Sequence, residues 1–502
     1  MKVSKTNFLI CLDCAKNAWL KIHKPEVYKE KGLSSFEQNI VDTGNQIDEL
    51  ARELFPNGAL VESRDDTQLT FKLMQEKTSV IYQPVFATEQ FITASDIFVW
   101  NAGTEAYDLY EVKSSTALEE DGGRKTEDYI IDMAFQKNVL TSLGIEIGTL
   151  NLIRLNKAYI RMGEVNLQEL FYIENFTEQV NAKLAEIQGQ MDGAYRLLSS
   201  ESEPQGHCDC ITKGKNSHCT TSWYSNSDLP KYPVHSISRI HKTKLTALVD
   251  SNIFNIHDVP DDFELSDNQR RQVTTAQTGK EYIDHEGIEA FLKTMQYPLA
   301  FLDYETYPSA IPKYSGYKPY QQIPFQFSLH IVEAKGSEPI HKEFIYTGEV
   351  NPDEYFAQKL QEYLPKVGSV VVWNQKFEKG INNQIGERLT AFKGFMEEVN
   401  NRIVDLMVPF YGNTTVYDHP EFKGSASIKY VLPALVPSLS YKDLDIQEGG
   451  TASDSWNRIV SGAYSEGDKN QKIEALKQYC CLDTLAMVEI WKVLDGVVGC
   501  RR

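Results

Sequence analysis

The sequence predicts an α/β fold spread over more than one domain, and three observations lead there. The chain has 502 residues, more than one hydrophobic core usually serves. Short β-branched and aromatic runs alternate with amphipathic stretches in two separate regions. Between these regions lies a segment, residues 203–235, rich in Gly, Ser, Asn, His and Cys, that fits neither pattern.

The elements follow in order. Residues 1–30 read as a helix anchored by Trp19. In "TGNQIDELARELFPNG" (43–58), Ile47, Leu50, Ala51 and Leu54 fall at helical spacing, and Pro56 to Gly58 end the helix. Three strand-like runs come next: 79–87, 91–100 and 107–115, with a turn at 101–104 between the last two. A helix is expected over 127–144, closed by a Gly C-cap, and another over 176–199. Residues 236–295 look helical and polar. A second α/β pattern starts near 298: strands 299–304, 325–334 and 369–374, a helix at 352–365, another after Phe377, and a long last helix over 468–494. Boundaries therefore fall near 230 and 296.

Composition excludes several classes. No apolar run reaches the roughly 18 residues of a membrane span. The first residues lack the order of a secretory signal, so a cytoplasmic location is expected. A net charge of −19 argues against a chain that coats nucleic acid with a basic face, although a local basic groove remains compatible with it. Eight cysteines in this length are too sparse for a disulfide scaffold, so their placement carries the information.

The stretch "FLDYETY" (301–307) sets Asp303 and Glu305 at i and i+2 of a strand, side by side on one face. Like charges that close repel, and burying them costs free energy unless something positive compensates. A divalent cation is the usual compensation. A similar demand arises earlier, where Asp96 and Glu111 end or interrupt adjacent strands. Lys113 shares a face with Glu111, at i+2. Hard carboxylate oxygens suit Mg²⁺ or Mn²⁺. A neighbouring lysine can orient or help deprotonate water and stabilise charge on a phosphate. The upstream helix offers Asp48 or Glu49, and the downstream helix offers Gln136.

This set resembles the RecB-like branch of the PD-(D/E)XK nucleases. The resemblance implies a restriction-endonuclease-like domain with Asp48 or Glu49, Asp96 and Glu111 as metal ligands, and with Lys113 and Gln136 in catalysis. The chain departs from that branch at Asp48, where His is usual, and at Leu140, where a tyrosine often follows the glutamine. Cys14 in "CAKNAWL" and Cys208, Cys210 and Cys219 in "HCDCITKGKNSHC" resemble the thiolates of iron–sulfur RecB-like exonucleases, which implies a [4Fe–4S] cluster. Four soft thiolates equally suit Zn²⁺, and His207 and His218 lie close in sequence. The pair Cys480 and Cys481 reads as core packing in a helix.

Past residue 296, "DxE" at Asp303 and Glu305, Glu378 after an apolar strand, and Tyr479 with Asp483 at helical i, i+4 spacing resemble the DnaQ-like, DEDD exonucleases of ribonuclease-H-like fold. There the carboxylates of Asp303, Glu305, Glu378 and Asp483 would hold two ions, and Tyr479 would orient water. Glu378 stands where that family normally has Asp. Asp405 is a further, second-ranked acid.

Taken together, the chain resembles an uncharacterised bacterial family that fuses the two types. The resemblance implies a RecB-like domain over 1–230, a helix-hairpin-helix-like linker over 231–295, and a DnaQ-like 3′–5′ exonuclease domain over 296–502. The expected activity is metal-dependent hydrolysis of nucleic acid, DNA before RNA, with no membrane partner. Lys318, Tyr320, Lys429 and Tyr430 are candidates for phosphate contact or base stacking.

Overall fold

A computed structural model describes residues 1–28, 35–117 and 124–499. The fold is mixed α/β and divides into two compact units. Unit 1 comprises Met1–Asp228 with Ala310–Gln321, and unit 2 comprises Leu229–Ser309 with the chain from Gln322 onward. The helical stretch 231–295 therefore shares a unit with the α/β pattern that follows it. The short excursion Ala310–Gln321 belongs to the first unit.

Unit 1 is built on a six-stranded sheet in the order Ala59–Leu60, Val80–Tyr82, Ile97–Asn101, Ala106–Ala117, Ile147–Asn156, Phe171–Asn175. A three-stranded sheet, Val3–Ser4, Phe91–Ala94 and Val85–Ala87, accompanies it. Two sequence runs expected to be single strands are each split between these sheets. The run 79–87 breaks at Gln83, whose φ of 53° bends the chain before Pro84, and the run 91–100 breaks at Ser95 and Asp96. The two breaks are stitched to each other, Gln83 N to Asp96 O at 2.8 Å and Ser95 N to Pro84 O at 3.0 Å. Alternating apolar residues on both halves disguised the bend, because each half buries one face in its own sheet. The expected turn at 101–104 joins Ile97–Asn101 to Ala106–Ala117 as an antiparallel hairpin.

Residues 1–30 do not form one helix. Lys5–Asp13 and Ala15–His23 are separated at Cys14, which is extended (φ −155°, ψ 104°). The amphipathic helix near 43–58 runs instead from Ser35 to Arg52, and Arg124–Ser142 ends at Gly144 with φ 73°. Thr177–Ser199 matches its expected span closely. The strands Ile147–Asn156 and Phe171–Asn175 went unread. Phe8 stacks on Phe135 at 5.0 Å between ring centres, which ties the first helix to Arg124–Ser142 inside the main core.

Unit 2 carries a five-stranded sheet in the order Ile340–Ile345, Gln322–Val332, Leu299–Pro308, Ser369–Val372, Ile403–Asp405. The first three strands are antiparallel, and the last two run parallel to the central Leu299–Pro308. Period-2 alternation sends Leu302 and Tyr304 into one core, where Tyr304 meets Phe356 of the helix Asp353–Tyr363 at 5.1 Å. Phe301 points the other way, towards Trp491 of the long helix Glu466–Gly499. Asp303 and Glu305 share that second face. The polar stretch 236–295 contains Lys242–Asp250, Asp267–Thr278 and His285–Leu292, the second opened by a reciprocal cap between Ser266 and Gln269.

Trp456, on the helix Gly449–Val460, is fully buried, stacks on Phe325 at 4.7 Å and donates Nε1–H to Tyr346 O at 2.6 Å. Trp456→Ala should therefore destabilise unit 2 by about 3–5 kcal/mol, read as a lower denaturant midpoint in a tryptophan-independent signal such as far-UV circular dichroism.

Candidate functional site

In unit 1 the strand Ala106–Ala117 presents Glu111 and Lys113 to one face, and the bend after Phe91–Ala94 delivers Asp96 beside them. Asp96 Oδ2 accepts Val112 N–H at 2.7 Å. Lys113 Nζ bonds Glu111 Oε1 at 2.6 Å and Asp132 Oδ2 at 2.8 Å. Gln136 is buried and donates Nε2–H to Glu111 Oε2 at 2.7 Å and Asp132 Oδ1 at 2.9 Å, while its own Oε1 accepts Ser95 Oγ–H at 2.6 Å. Two members of this set went unread. Lys5, in the first turn of Lys5–Asp13, places Nζ 2.9 Å from both Glu111 Oε1 and Asp132 Oδ1. Asp132 sits one helical turn before Gln136, and that i, i+4 spacing was its only available signal.

Two ammonium groups thus sit between two buried carboxylates. Burial pulls the Lys113 pKa down, but Glu111 and Asp132 outweigh it and hold it well above the ordinary lysine value. In this arrangement Lys113 is held as a protonated donor between Glu111 and Asp132. Burial and the Glu111 charge push Asp96 up to about 7. Asp48 pairs with Arg52 and accepts from Gln83 Nε2 at 3.3 Å, so it joins the bend that carries Asp96, and its Oδ1 is buried without a partner. Glu49, one position on, is exposed, and the structure does not bring it to this cluster. A cavity of about 330 Å³ opens here, lined by Lys5, Arg64, Gln83, Thr93 and Asp96 among others.

The four cysteines expected to act together do converge. Cys14 occupies the break between the first two helices, Cys208 caps the short helical turn Asp209–Thr212 that contains Cys210, and Cys219 precedes Ser222–Ser225. Their sulfurs all lie within 4.8 Å of one another, with Cys208 and Cys219 at 3.9 Å. Cys219 N–H points at Cys210 Sγ (3.1 Å) and Asn226 Nδ2 at Cys208 Sγ (3.3 Å). These donors favour thiolates, and hydrogen bonds from the neighbouring thiols, Cys14 first, draw Cys208 below its ordinary value. His207 pairs with Asp228, and His218 bonds Lys213 O and Ser222 Oγ, so the cluster is built from sulfur. The group can hold a metal.

In unit 2 the face of the central strand that carries Asp303 and Glu305 meets Tyr479, Cys480 and Asp483 of the long helix. Cys480 Sγ lies 3.8 Å from Asp303 Oδ2. Burial, with Asp303 next, holds the Cys480 thiol far above its ordinary value, which keeps it neutral. Tyr441, unread from sequence, donates its hydroxyl to Asp483 Oδ1 at 2.6 Å. Glu378 stands in the first turn of Gln375–Arg388, at the end of Ser369–Val372, with Oε2 buried and unpartnered. Asp405 lies near enough for its charge to raise Glu378, and it also accepts N–H from Asn374 and Gln375 at the start of that same helix, each at 3.0 Å. The helix Gly449–Val460 starts beside the cluster, where a β-carbon on Gly449 would stand 3.9 Å from Glu305 Oε2 and 4.0 Å from Tyr479 Oη.

Electrostatics bind these groups into one site. Burial first, then Asp483, pushes Asp303 well above the carboxylate range. Burial with Asp303 and Asp483 does the same to Glu305, and burial with Asp303 to Glu378. Burial raises Asp483 to about 6 against the pull of Tyr441 and Lys429. Among the described residues, no ion pair reaches any of the four. Lys429 lowers Glu305 and Asp483 through its field, and its neighbour Tyr430 is exposed. Of the other proposed nucleic-acid contacts, Tyr320 donates to Ser114 O at 2.7 Å within unit 1, and Lys318 is exposed.

Residues 300–427, which include Asp303, Glu305 and Glu378, match the family described as Domain of unknown function (DUF2779). No curated protein matches the chain. No helix among the described residues is long and apolar enough to cross a membrane.

The raised carboxyls set a pH dependence. Their folded pKa values exceed the unfolded ones near 4, so the stability they lend is complete below pH of about 4 and is lost as pH rises. The loss passes about 6 at Asp483 and about 7 at Asp96. In EDTA the melting temperature should fall between pH 5 and pH 8, and Mn²⁺ should restore it at the upper end.

Proposed function

We propose that this protein is a metal-dependent nuclease hydrolysing DNA phosphodiester bonds, with a PD-(D/E)XK-type centre in unit 1 and a ribonuclease-H-like, DEDD-type exonuclease centre in unit 2. The observation that carries the reading is the meeting of Asp303, Glu305, Glu378 and Asp483. These carboxylates, three buried and Asp303 half-buried, come from three separate elements, and no ion pair reaches them among the described residues. The sheet supports it, with three antiparallel strands followed by two parallel ones and the acids on the central strand.

Asp303, Glu305, Glu378 and Asp483 fit Mg²⁺ or Mn²⁺ by their hard oxygens and by the orphaned Oε2 of Glu378. When bound, such ions lower the pKa of water and neutralise the phosphate. The chain's own groups do the rest. Tyr479 is held protonated by burial, Asp483 and Glu305, so its hydroxyl is a donor that can orient a water molecule. Lys429 adds positive charge beside the carboxylates, and Tyr430 offers an exposed ring for a base. In unit 1, Asp96 and Glu111 supply the oxygens. Lys113 is fixed by Glu111 and Asp132 and donates to a phosphate oxygen, while Gln136 holds Glu111 in place.

For the four cysteines, the iron–sulfur reading rests on the resemblance of their sequence context. The spacing of one sulfur pair supports zinc as the alternative. A single ion bonded at about 2.3 Å to four sulfurs sets them about 3.8 Å apart, close to the 3.9 Å between Cys208 and Cys219. A cubane cluster stands between its thiolates and spreads them wider. Anaerobically purified protein that is brown, with broad visible absorption, establishes iron–sulfur, whereas colourless protein with stoichiometric zinc establishes the single ion.

End-labelled single- and double-stranded DNA and RNA, incubated with Mg²⁺, Mn²⁺ or EDTA, test the activity. Cleavage should require the metal. Asp303→Ala should lower the unit 2 activity by about 10²-fold or more, and Lys113→Ala should lower the unit 1 activity by about 10²-fold. Loss in one variant only leaves a single working centre. No metal-dependent cleavage of any substrate overturns the reading and leaves a nucleic-acid-binding or assembly protein.

A further inference from the structure

The long helix of unit 2 presents consecutive cysteines to different surroundings, because neighbouring helical positions point about 100° apart. Cys480 faces Asp303. Cys481 faces a pair of histidines that the proposed nuclease chemistry does not use. His330 on Gln322–Val332 and His341 on Ile340–Ile345 are directly opposed in the antiparallel ladder, with ring centres 4.6 Å apart. One donor atom from each of His330, His341 and Cys481 lies within 4.8 Å of the others.

Each histidine is held by a hydroxyl. Thr484 Oγ1 meets His330 Nδ1 at 2.8 Å, and Ser328 Oγ meets His341 Nε2 at 3.1 Å. The two hydroxyls meet each other at 2.7 Å. Each imidazole uses one nitrogen on a hydroxyl, which leaves its second nitrogen able to ligate after a small rotation of the ring. Burial, with His341 next, holds His330 near a pKa of about 4, so its ring is neutral at physiological pH.

We infer that His330, His341 and Cys481 bind a single Zn²⁺ ion. Two imidazoles and one thiol are a nitrogen–sulfur set that selects a borderline-soft ion over Mg²⁺. Tetrahedral zinc places such donors about 3.3–3.6 Å apart, so the three side chains close by about an ångström on binding. The ion gains bonds to both imidazole nitrogens and to the sulfur, and the Cys481 proton leaves to solvent. Three protein ligands leave a fourth position for water or for Glu343, whose charge raises both His341 and Cys481. The bound ion pins the helix that carries Tyr479 and Asp483 to the sheet's antiparallel edge.

Equilibrium dialysis of the full chain against micromolar Zn²⁺, followed by elemental analysis, tests this. His341→Ala and Cys481→Ser are the variants, since His341 is exposed at the sheet edge and the serine is nearly isosteric. The four-cysteine group and both carboxylate clusters are intact in all three proteins and contribute equally. The wild type should hold one zinc per chain more than either variant. Cobalt-loaded wild type minus Cys481→Ser should show a thiolate charge-transfer band. Equal zinc in wild type and in both variants, or no cobalt difference band, overturns the inference whether or not the chain cleaves DNA.

Discussion

Burial of carboxylates, reinforced by their mutual repulsion, sets the character of the second unit's site. Asp303 and Glu305 leave the central strand on one face, and Asp483 and Glu378 arrive from two helices. After burial, Asp303 raises Glu305 and Glu378, and Asp483 raises Asp303 and Glu305. Folding alone would scatter such groups to the surface, because an unpaired buried charge costs several kcal/mol. The surrounding structure holds them by force of packing. Tyr304 and Phe356 fill the core behind the strand, Trp491 braces Phe301, and Gln326 Nε2 ties the sheet to Leu476 O of the long helix at 2.9 Å.

The first unit answers the same difficulty with its own side chains. Lys5 and Lys113 stand between Glu111 and Asp132 and depress Asp132 despite its burial. The remaining acid, Asp96, sits at a bend rather than within a ladder. Its oxygen binds a backbone N–H, and it titrates near neutrality. One cluster is balanced internally and the other is not, so the two should differ in how strongly each draws divalent ions.

What was legible in the sequence was whatever obeyed a local period. The i, i+2 pairs Asp303–Glu305 and Glu111–Lys113 and the i, i+4 pair Tyr479–Asp483 were readable because strands and helices repeat at those spacings. The cysteines were readable because three crowd into 12 residues, 208–219, of a cysteine-poor chain. Lys5 and Tyr441 were not, since each reaches its site across a long loop in sequence and has no periodic partner. The bends at Gln83 and Asp96 were hidden because both halves of each run keep strand chemistry. Glu49 failed against Asp48 for the opposite reason: one helical step of rotation decides which acid faces inward, and the sequence left both open. Asp405, readable as an acid near the site, both raises Glu378 and bonds the backbone that opens its helix.

Cys14 lies 194 positions before Cys208, by subtraction of their numbers, and both are held in one cluster. An ion there closes a loop of that length, and by the chain-entropy relation such a link withdraws about 5 kcal/mol from the unfolded ensemble. During synthesis Cys14, which follows the roughly two and a half turns of Lys5–Asp13, must therefore wait until the ribosome has delivered Cys219 before its last partner exists. Removal of the ion from the finished protein would release both ends of the domain at once. Metal supply would then set the lifetime of the first unit in the cell, through protease access to its loosened termini, independently of whatever chemistry either carboxylate cluster performs.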